Sequence, residues 1–511
     1  MKKIIVLIFL LLVISYAQIG RVTTAGWTTQ DRQFNGPVYT RCRVVPTEGI
    51  HICWVAENGA RYNFYDLMTH TLNWQQNGIN PATSITGLGG MDYDPITRNA
   101  ALCLIAFSGN FTPFIARDQS PGAGLFEYCY GPSGYTGGPI GVTNNEAIHI
   151  IMDGYYARIQ PWGTWTTPIT IAISGYGHNI AASKISNKVA ILWLASVISG
   201  RDSAYYRLSN DGGLSWQPPV QIPFPPSSGL VPSFHSSSLF ATFDNQDNLH
   251  IVASVAETSR TIPAEIWHYC PTNPQPWNLI HHYDAETLNA PVGYNALFAT
   301  RPSIVQDPTT GYFFVTWEQF DSLNYEPLTF LSRADIWFAA LNSTNQSVAR
   351  KWKITSPNTT SKRFPIVGGM FGDTLVVSYL IDSIAGFANY GQGPTTNNPV
   401  VCQLFEPLII GLEENSTPLN TNFSLDASPN PFFSHTTIRY ALPAQSNVSL
   451  EIFDVTGRLI KNLVNEFKSP GVYTATWNGK NNNGIEVKSG VYFYALKAAD
   501  KTITNKIIKT N

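Results

Sequence analysis

The chain has 511 residues, a formal net charge of −2 and only 13% charged residues, against about 25% in an ordinary soluble domain. That balance excludes a basic nucleic-acid surface and an acidic solvating tail. Aromatic residues make up 13%, with 39 Gly and 34 Pro, which predicts aromatic strands punctuated by turns, an all-β protein.

The first element in chain order is a leader. Lys2 and Lys3 precede the apolar run Ile4 to Ile14, and Ser15-Tyr16-Ala17 offers small residues for cleavage after Ala17. The run is short for a membrane span, and a retained anchor is the alternative. Residues 1–17 are therefore expected to be a signal peptide, with no transmembrane segment after its removal. The six cysteines are Cys42, Cys53, Cys103, Cys129, Cys270 and Cys402. They permit disulfides after export, and Cys42 and Cys53, flanking "PTEG", could face each other across a hairpin. Cys53, Cys103 and Cys402 read as buried strand residues. No spacing suits a metal site, and no cofactor fingerprint is present.

Seven short apolar runs recur along the chain: "GIHICWVAE", "NAALCLIAF", "AIHIIMDG", "KVAILWLAS", "NLHIVASV", "GYFFVTWEQ" and "TLVVSYLI". A turn precedes most of them. A second strand-like element, such as "RYNFYD" or "AYYRLSN", follows each, and Trp74, Trp165, Trp216, Trp277 and Trp352 come next in five repeats. Single repeats cannot bury both faces, whereas units packed radially about an axis can. Residues 18–408 are thus expected to form a β-propeller of seven blades, with six or eight as alternatives.

In the fourth repeat "SNDGGLSW" follows the third strand. Ser209, Asp211, Gly213 and Trp216 match the Asp-box of sialidase-like (BNR) propellers, so this stretch resembles that family. The resemblance implies a structural turn on the face away from the ligand site. Only this copy is complete. The arginine motif of sialidases, Arg-Ile-Pro, is not reproduced by "RVVP" or by "RTIP" at Arg260.

Residues 409–426 are polar and rich in Pro and Asn, the composition of a linker. Residues 427–511 alternate like short strands and predict a small Ig-like sandwich. "SPNPF", "IFDVTGRLI", "SGVYFYAL" and the terminal "KIIK" resemble the type A C-terminal sorting domain of type IX secretion and the related flagellar hook-cap Ig-like domain. The resemblance implies the secretion machinery as a partner and a secreted or outer-surface location, reached through the periplasm. An Ig-like module without a sorting role is the alternative.

In a propeller, entry to the innermost strand and exit from the second strand share one face. Entries carry Arg41, His178, His235, Arg301 and Arg363, with Arg43 beside Arg41. Exits carry Glu57, Asp153, Asp202, Glu257, Glu318 and Asp382. Arg41, His178, His235, Arg301, Arg363 and Glu318 form the candidate ligand-binding set, since clustered arginines can hold an anion through paired hydrogen bonds. Structural ion pairs are the competing reading. Three functions follow: a surface protein binding glycan or protein, a glycoside hydrolase acting on an anionic glycan, and a structural surface component. No catalytic residue can be assigned.

Overall fold

The computed structural model describes residues 20–407 and 424–510, apart from 34–37, 58, 76, 84, 172–174, 197–200, 228–230, 237, 259, 286–287, 429, 443–445, 469–470 and 499–500. The expected signal peptide lies outside the described residues, as does most of the expected linker. Two compact units divide at residues 410 and 411.

The first unit is a β-propeller of seven antiparallel sheets. Each apolar run is the second strand of one sheet: Gly49–Ala56, Ala100–Phe107, Ile148–Met152, Val189–Ser196, Leu249–Glu257, Phe313–Tyr325 and Thr374–Asp382. These strands are apolar on both faces because each is buried between neighbouring sheets. The innermost strands are Cys42–Val45, Ile85–Tyr93, Ile140–Val142, Tyr176–Ala182, Phe240–Phe243, Ala299–Gln306 and Ser361–Phe371. Each touches the next, and the last touches the first, so the ring closes.

The ring is closed by the chain's own beginning. Arg21–Thr28 pairs with Asn398–Phe405 and supplies the outermost strand of the seventh sheet. This strand is open to solvent over its first half, is buried mainly in its second, and carries no apolar run, so it leaves little trace in the hydrophobic pattern. Pairing the two ends removes an open edge.

The expected Cys42–Cys53 bridge is not made. Cys42 stands opposite Ile52 across the hairpin, so Cys53, one residue on, points to the other face of the sheet. All six cysteines are buried free thiols.

A repeat hidden within the apolar runs is a histidine. His51, His149 and His250 occupy the middle position of Ile-His-Ile or Leu-His-Ile and are buried. His51 Nδ1 bonds Tyr62 Oη at 2.6 Å, and His149 Nδ1 bonds Tyr156 Oη at 2.8 Å. His250 Nδ1 bonds His268 Nε2 at 2.9 Å. Each joins the second strand to the third through side chains.

The second unit is a sandwich of two sheets. Ser424–Ser428, Thr436–Leu442 and Gly471–Trp477 form one; Leu459–Lys468, Ser446–Asp454, Gly490–Ala498 and Lys501–Lys509 form the other. The strand Ser424–Ser428 begins inside the stretch expected to be linker, so the sandwich starts earlier than 427. Its core centres on Trp477, whose indole packs between Phe432 and Tyr492 and donates to Lys480 O at 3.0 Å.

Candidate functional site

Strand direction fixes two faces of the propeller. Entry ends of innermost strands and hairpins between second and third strands form one, here the entry face. Hairpins between first and second strands, and turns between third and fourth, form the other. "SNDGGLSW" joins Asp202–Ser209 to Val220–Ile222 and so lies on the second face. The stretch is a turn closed on itself. Asp211 accepts hydrogen bonds from the Leu214 and Ser215 amides at 3.1 and 2.9 Å and from Ser215 Oγ at 2.5 Å. The Gly213 amide donates to Ser209 Oγ at 2.8 Å. The Ser215 hydroxyl and amide hold the Asp211 carboxyl down at about 2. Gly213 has φ +78°, and a Cβ there would overlap the Tyr156 hydroxyl of the third sheet. Trp216 packs edge-on against the same Tyr156, with ring centroids 4.8 Å apart. Ser209, Asp211, Gly213 and Trp216 therefore tie the fourth sheet to the third, and no atom of the turn is set up for chemistry.

On the entry face the structure brings Arg301, Arg363 and Glu318 together. Arg301 Nη1 and Arg363 Nε reach the same oxygen, Glu318 Oε2, at 3.0 and 3.1 Å. Glu318 Oε1 accepts the Phe364 amide at 2.5 Å. Register shifts interrupt the first strands of the sixth and seventh sheets at Thr300/Ser303 and Arg363/Ile366. Arg301 and Phe364 there have φ of 52° and 58°, a conformation that costs energy and bends each strand. Phe364 lies under both guanidinium groups at 5.0 and 5.1 Å, and Phe387 lies 4.8 Å from that of Arg363.

This cluster is sealed. Arg301, Arg363 and Glu318 are 0%, 1% and 0% exposed. Burial draws Arg301 down to about 10, still charged at neutral pH. Asp382, beside Arg363, is also buried, and desolvation raises it to about 7. Arg41 does not join them on Glu318. It is 5% exposed and donates to Gln33 Oε1 at 3.1 Å and Leu88 O at 3.3 Å. The expectation that Arg41, Arg301 and Arg363 line a pocket is thus corrected to two buried arrangements. The cause is the strand that closes the ring. After it, the chain must return to the first sheet across the entry face. Val38 O accepts from Asn179 of the fourth sheet, which also donates to Leu239 O, and Thr40 O accepts from the Met91 amide of the second sheet. These bonds place residues 38–40 over the axis.

Arg43 points the other way. At the opposite end of the axis it meets Asp92 at 3.3 Å, and Lys184 meets the same carboxylate at 2.5 Å. They border a cavity of about 210 Å³ to which all seven sheets contribute. Lys184 also donates to Tyr93 O and Val142 O, so its charge is engaged.

Two open concavities of the entry face lie off the axis: a larger one, of about 640 Å³, beside Glu57 between the first and second sheets, and a second, richer in charged groups, at the fourth and fifth. The second, a cleft of about 270 Å³, is lined by Asp202, Ser233, His235, Glu257, Arg260, Thr261, Ala296 and Leu297. His235 follows the short strand Pro232–Phe234, Glu257 ends its strand, and Asp202 begins the third strand of the fourth sheet. Burial, and then the Arg301 charge, push His235 down to about 3, so it is a neutral hydrogen-bonding group. Ser196 Oγ donates to Asp202 Oδ1 at 2.8 Å, and Arg260 Nη1 lies 3.4 Å from Glu257 Oε2. Arg260 was set aside in the sequence with "RTIP", which does not reproduce the sialidase motif, and was not among the candidate ligand-binding residues. His178, half-buried at a register shift in its strand, is not part of the cleft. Among the described residues no group of three or more His, Cys, Asp or Glu could hold a metal ion.

The sandwich carries its motifs in turns. Asp454 of "IFDVTGRLI" accepts from the Thr456 and Arg458 amides at 3.0 and 3.1 Å. Asn430 of "SPNPF" donates to Lys506 O at 2.9 Å and accepts from the Ile508 amide at 3.0 Å, clasping the last strand. Residues 433–502 match the FlgD Ig-like domain. That match covers the small sandwich and leaves the propeller unassigned. No curated protein matches the chain. The propeller is similar to solved propeller structures at low identity. An ulvan lyase of polysaccharide lyase family PL25, bound to a GlcA–Rha3S unit, has TM-score 0.44 and 9% identity, over 71% of this chain and 97% of that one. The α-L-arabinanase of Penicillium chrysogenum has TM-score 0.39 and 11% identity, over 75% and 97%. The Hadza microbial sialidase Hz136 has TM-score 0.34 and 12% identity, over 71% and 74%.

Proposed function

We propose that this chain is an exported surface or secreted propeller that binds glycans in the entry-face cleft, and that its C-terminal sandwich delivers it. The observation that carries the binding reading is the convergence of Asp202, His235, Glu257 and Arg260 on one concave site. Carboxylates, a neutral imidazole and a guanidinium are the groups that share hydrogen bonds with the vicinal hydroxyls of a sugar. The axial arginines do not serve this purpose, because Glu318 holds them in the interior. The same burial weighs against the hydrolase reading, since Asp382, the acid raised to about 7, is shut away from solvent.

The test is a glycan-array screen of the purified chain, followed by titration calorimetry on each hit. Asp202→Asn and Glu257→Gln should each weaken binding by about 1.5–3 kcal/mol, the scale of hydrogen bonds to a charged group. An array without hits, or variants that bind like the parent, would remove the cleft from consideration.

For delivery, the reading rests on the FlgD-like Ig fold of residues 433–502 together with "SPNPF", "IFDVTGRLI", "SGVYFYAL" and "KIIK", which resemble a type IX sorting domain. "SNDGGLSW" is read, on its turn geometry, as an Asp-box. The partner is the secretion machinery and the route runs through the periplasm. Deleting residues 427–511 should leave the propeller in the periplasm of its own host. A truncated chain that still reaches the medium or cell surface would end the sorting reading.

A further inference from the structure

The entry face carries a second feature beside the cleft. Tyr294 and Tyr390 stack with ring centroids 4.1 Å apart and an interplanar angle of 22°. They come from two loops, before the sixth sheet and within the seventh, yet they are 47% and 39% exposed. A stacked tyrosine pair in a core would be explained by packing; one left in solvent is a flat, preformed platform. A third segment brings Arg32, whose guanidinium carbon lies 5.2 Å from the Tyr390 ring centroid and whose Nη1 donates to the Tyr390 hydroxyl. Among the described residues Arg32 has no carboxylate partner. The neighbouring Asp31 is buried beneath the platform, where it accepts the amide of Ala388, in the same turn as Tyr390, at 2.6 Å.

The platform is held in place. Gln392 Oε1 accepts from both the Tyr294 amide at 3.3 Å and the Phe387 amide at 3.2 Å, so one side chain joins the two tyrosine loops. Tyr390 lies in a short 3-10 turn, Ala388–Tyr390, ended by Gly391 in the left-handed conformation. Rigid aromatic groups fixed before binding lose little conformational entropy when a ligand arrives. The platform also adjoins the cleft. Ala296 and Leu297 form part of the cleft wall, two and three residues from Tyr294, and Asn295 between them accepts a hydrogen bond from Ser236, next to His235.

We infer that Tyr294, Tyr390 and Arg32 form a second subsite, for an anionic pyranose unit of the same glycan chain whose neighbouring unit sits in the cleft. The aromatic face receives the C–H face of the sugar ring, as flat apolar surfaces do. The guanidinium pairs with the sugar's carboxylate through its planar donors. The cleft holds two carboxylates against one arginine and so suits hydroxyls, while the platform holds one positive charge with no carboxylate partner among the described residues. The two sites therefore select a chain in which charge sits at the platform end. This inference rests on the cleft reading above.

The probes are tetragalacturonate and its carboxyl-reduced neutral counterpart, titrated calorimetrically into the full chain. Wild type should bind the uronate more tightly. Arg32→Gln should weaken the uronate by about fivefold, the upper range for an exposed ion pair, and leave the neutral sugar unchanged. Tyr294→Ala should weaken both by about tenfold, the scale of an aromatic contact. Equal weakening of both sugars by Arg32→Gln, unaltered binding by Tyr294→Ala, or no binding of either sugar by the folded parent each overturns the subsite. The two readings fail separately. If Asp202→Asn and Glu257→Gln bind normally while Tyr294→Ala does not, the platform stands and the cleft falls. If only the cleft variants lose binding, the platform falls.

Discussion

Glu318→Ala is expected to be the most damaging single substitution in the propeller, costing about 3–5 kcal/mol, the range for leaving a buried charge without its partner. Glu318 is the counter-charge for Arg301 and Arg363, both essentially inaccessible to water. Removing it leaves two like charges side by side in the interior. It also strips the Phe364 amide of its acceptor. Glu318→Gln restores that acceptor but not the charge, so it should recover only a small part of the loss. The informative control replaces the whole cluster. Arg301→Met, Glu318→Leu and Arg363→Met together remove all three charges and keep the volume, and the triple variant should be markedly more stable than Glu318→Ala alone. Urea denaturation followed on the propeller's own transition measures all three. If Glu318→Ala lies within about 0.5 kcal/mol of the parent, as a surface change would, the cluster is not the electrostatic keystone that its geometry indicates.

That cluster also marks the boundary of what the sequence discloses. The second strands were legible because burial on both sides writes an uninterrupted apolar run, and seven such runs define the blades. Third strands, which mix polar and aromatic residues, were legible from their place after each run. The first-strand entries could be placed on one face by counting strand reversals, and Arg301, Arg363 and Glu318 do meet there. Whether a charge lines a pocket or is sealed depends on other terms. Glu318 is contributed by the sixth sheet and Arg363 by the seventh, while the aromatic cover comes from Phe364 and Phe387. Residues 38–40 lie over the axis only because Arg21–Thr28 closes the ring and the chain must cross back. None of these contacts follows from spacing. The cleft escaped notice for a related reason: Asp202, His235, Glu257 and Arg260 lie on three separate segments, and the platform tyrosines on two more. The turn "SNDGGLSW" was readable because the side-chain hydrogen bonds that shape it are local, within four residues, whereas the bonds of Gly212 to Asn187 and Arg158 were not.

Acidification should unfold the propeller well before its ordinary carboxylates are protonated, and the cause is the histidine set of the second and third strands. Burial pushes His51 down to about 4 and His149 to about 3, and His268 lies well below the ordinary value of 6.5. In the unfolded chain each would titrate near 6.5. Above that pH both states hold these rings neutral, and they contribute no pH dependence. As pH falls below 6.5 the unfolded chain takes up protons that the folded chain refuses, so stability drops by about 1.4 kcal/mol per pH unit for each ring. Three rings together give about 4 kcal/mol per unit, and His235 and His281, each pushed down to about 3 by burial, steepen the slope further. Asp382 opposes them, as do Asp31 and Asp118, whose carboxyls burial also raises: raised to about 7 in the fold, Asp382 is protonated there first and returns about 1.4 kcal/mol per unit as pH falls from 7 towards 4. The histidines outweigh these acids. Thermal melts from pH 7.5 to 4.5 should therefore show the propeller's transition flat at first, then falling steeply below about pH 6. His149→Gln offers the sharpest control, since an amide can still meet the Tyr156 hydroxyl but cannot titrate. Although less stable at pH 7.5, this variant should lose stability with acid more gently than the parent, by one proton's worth. A transition temperature unchanged down to pH 4.5, or an identical slope in His149→Gln, would mean that these rings accept protons inside the fold.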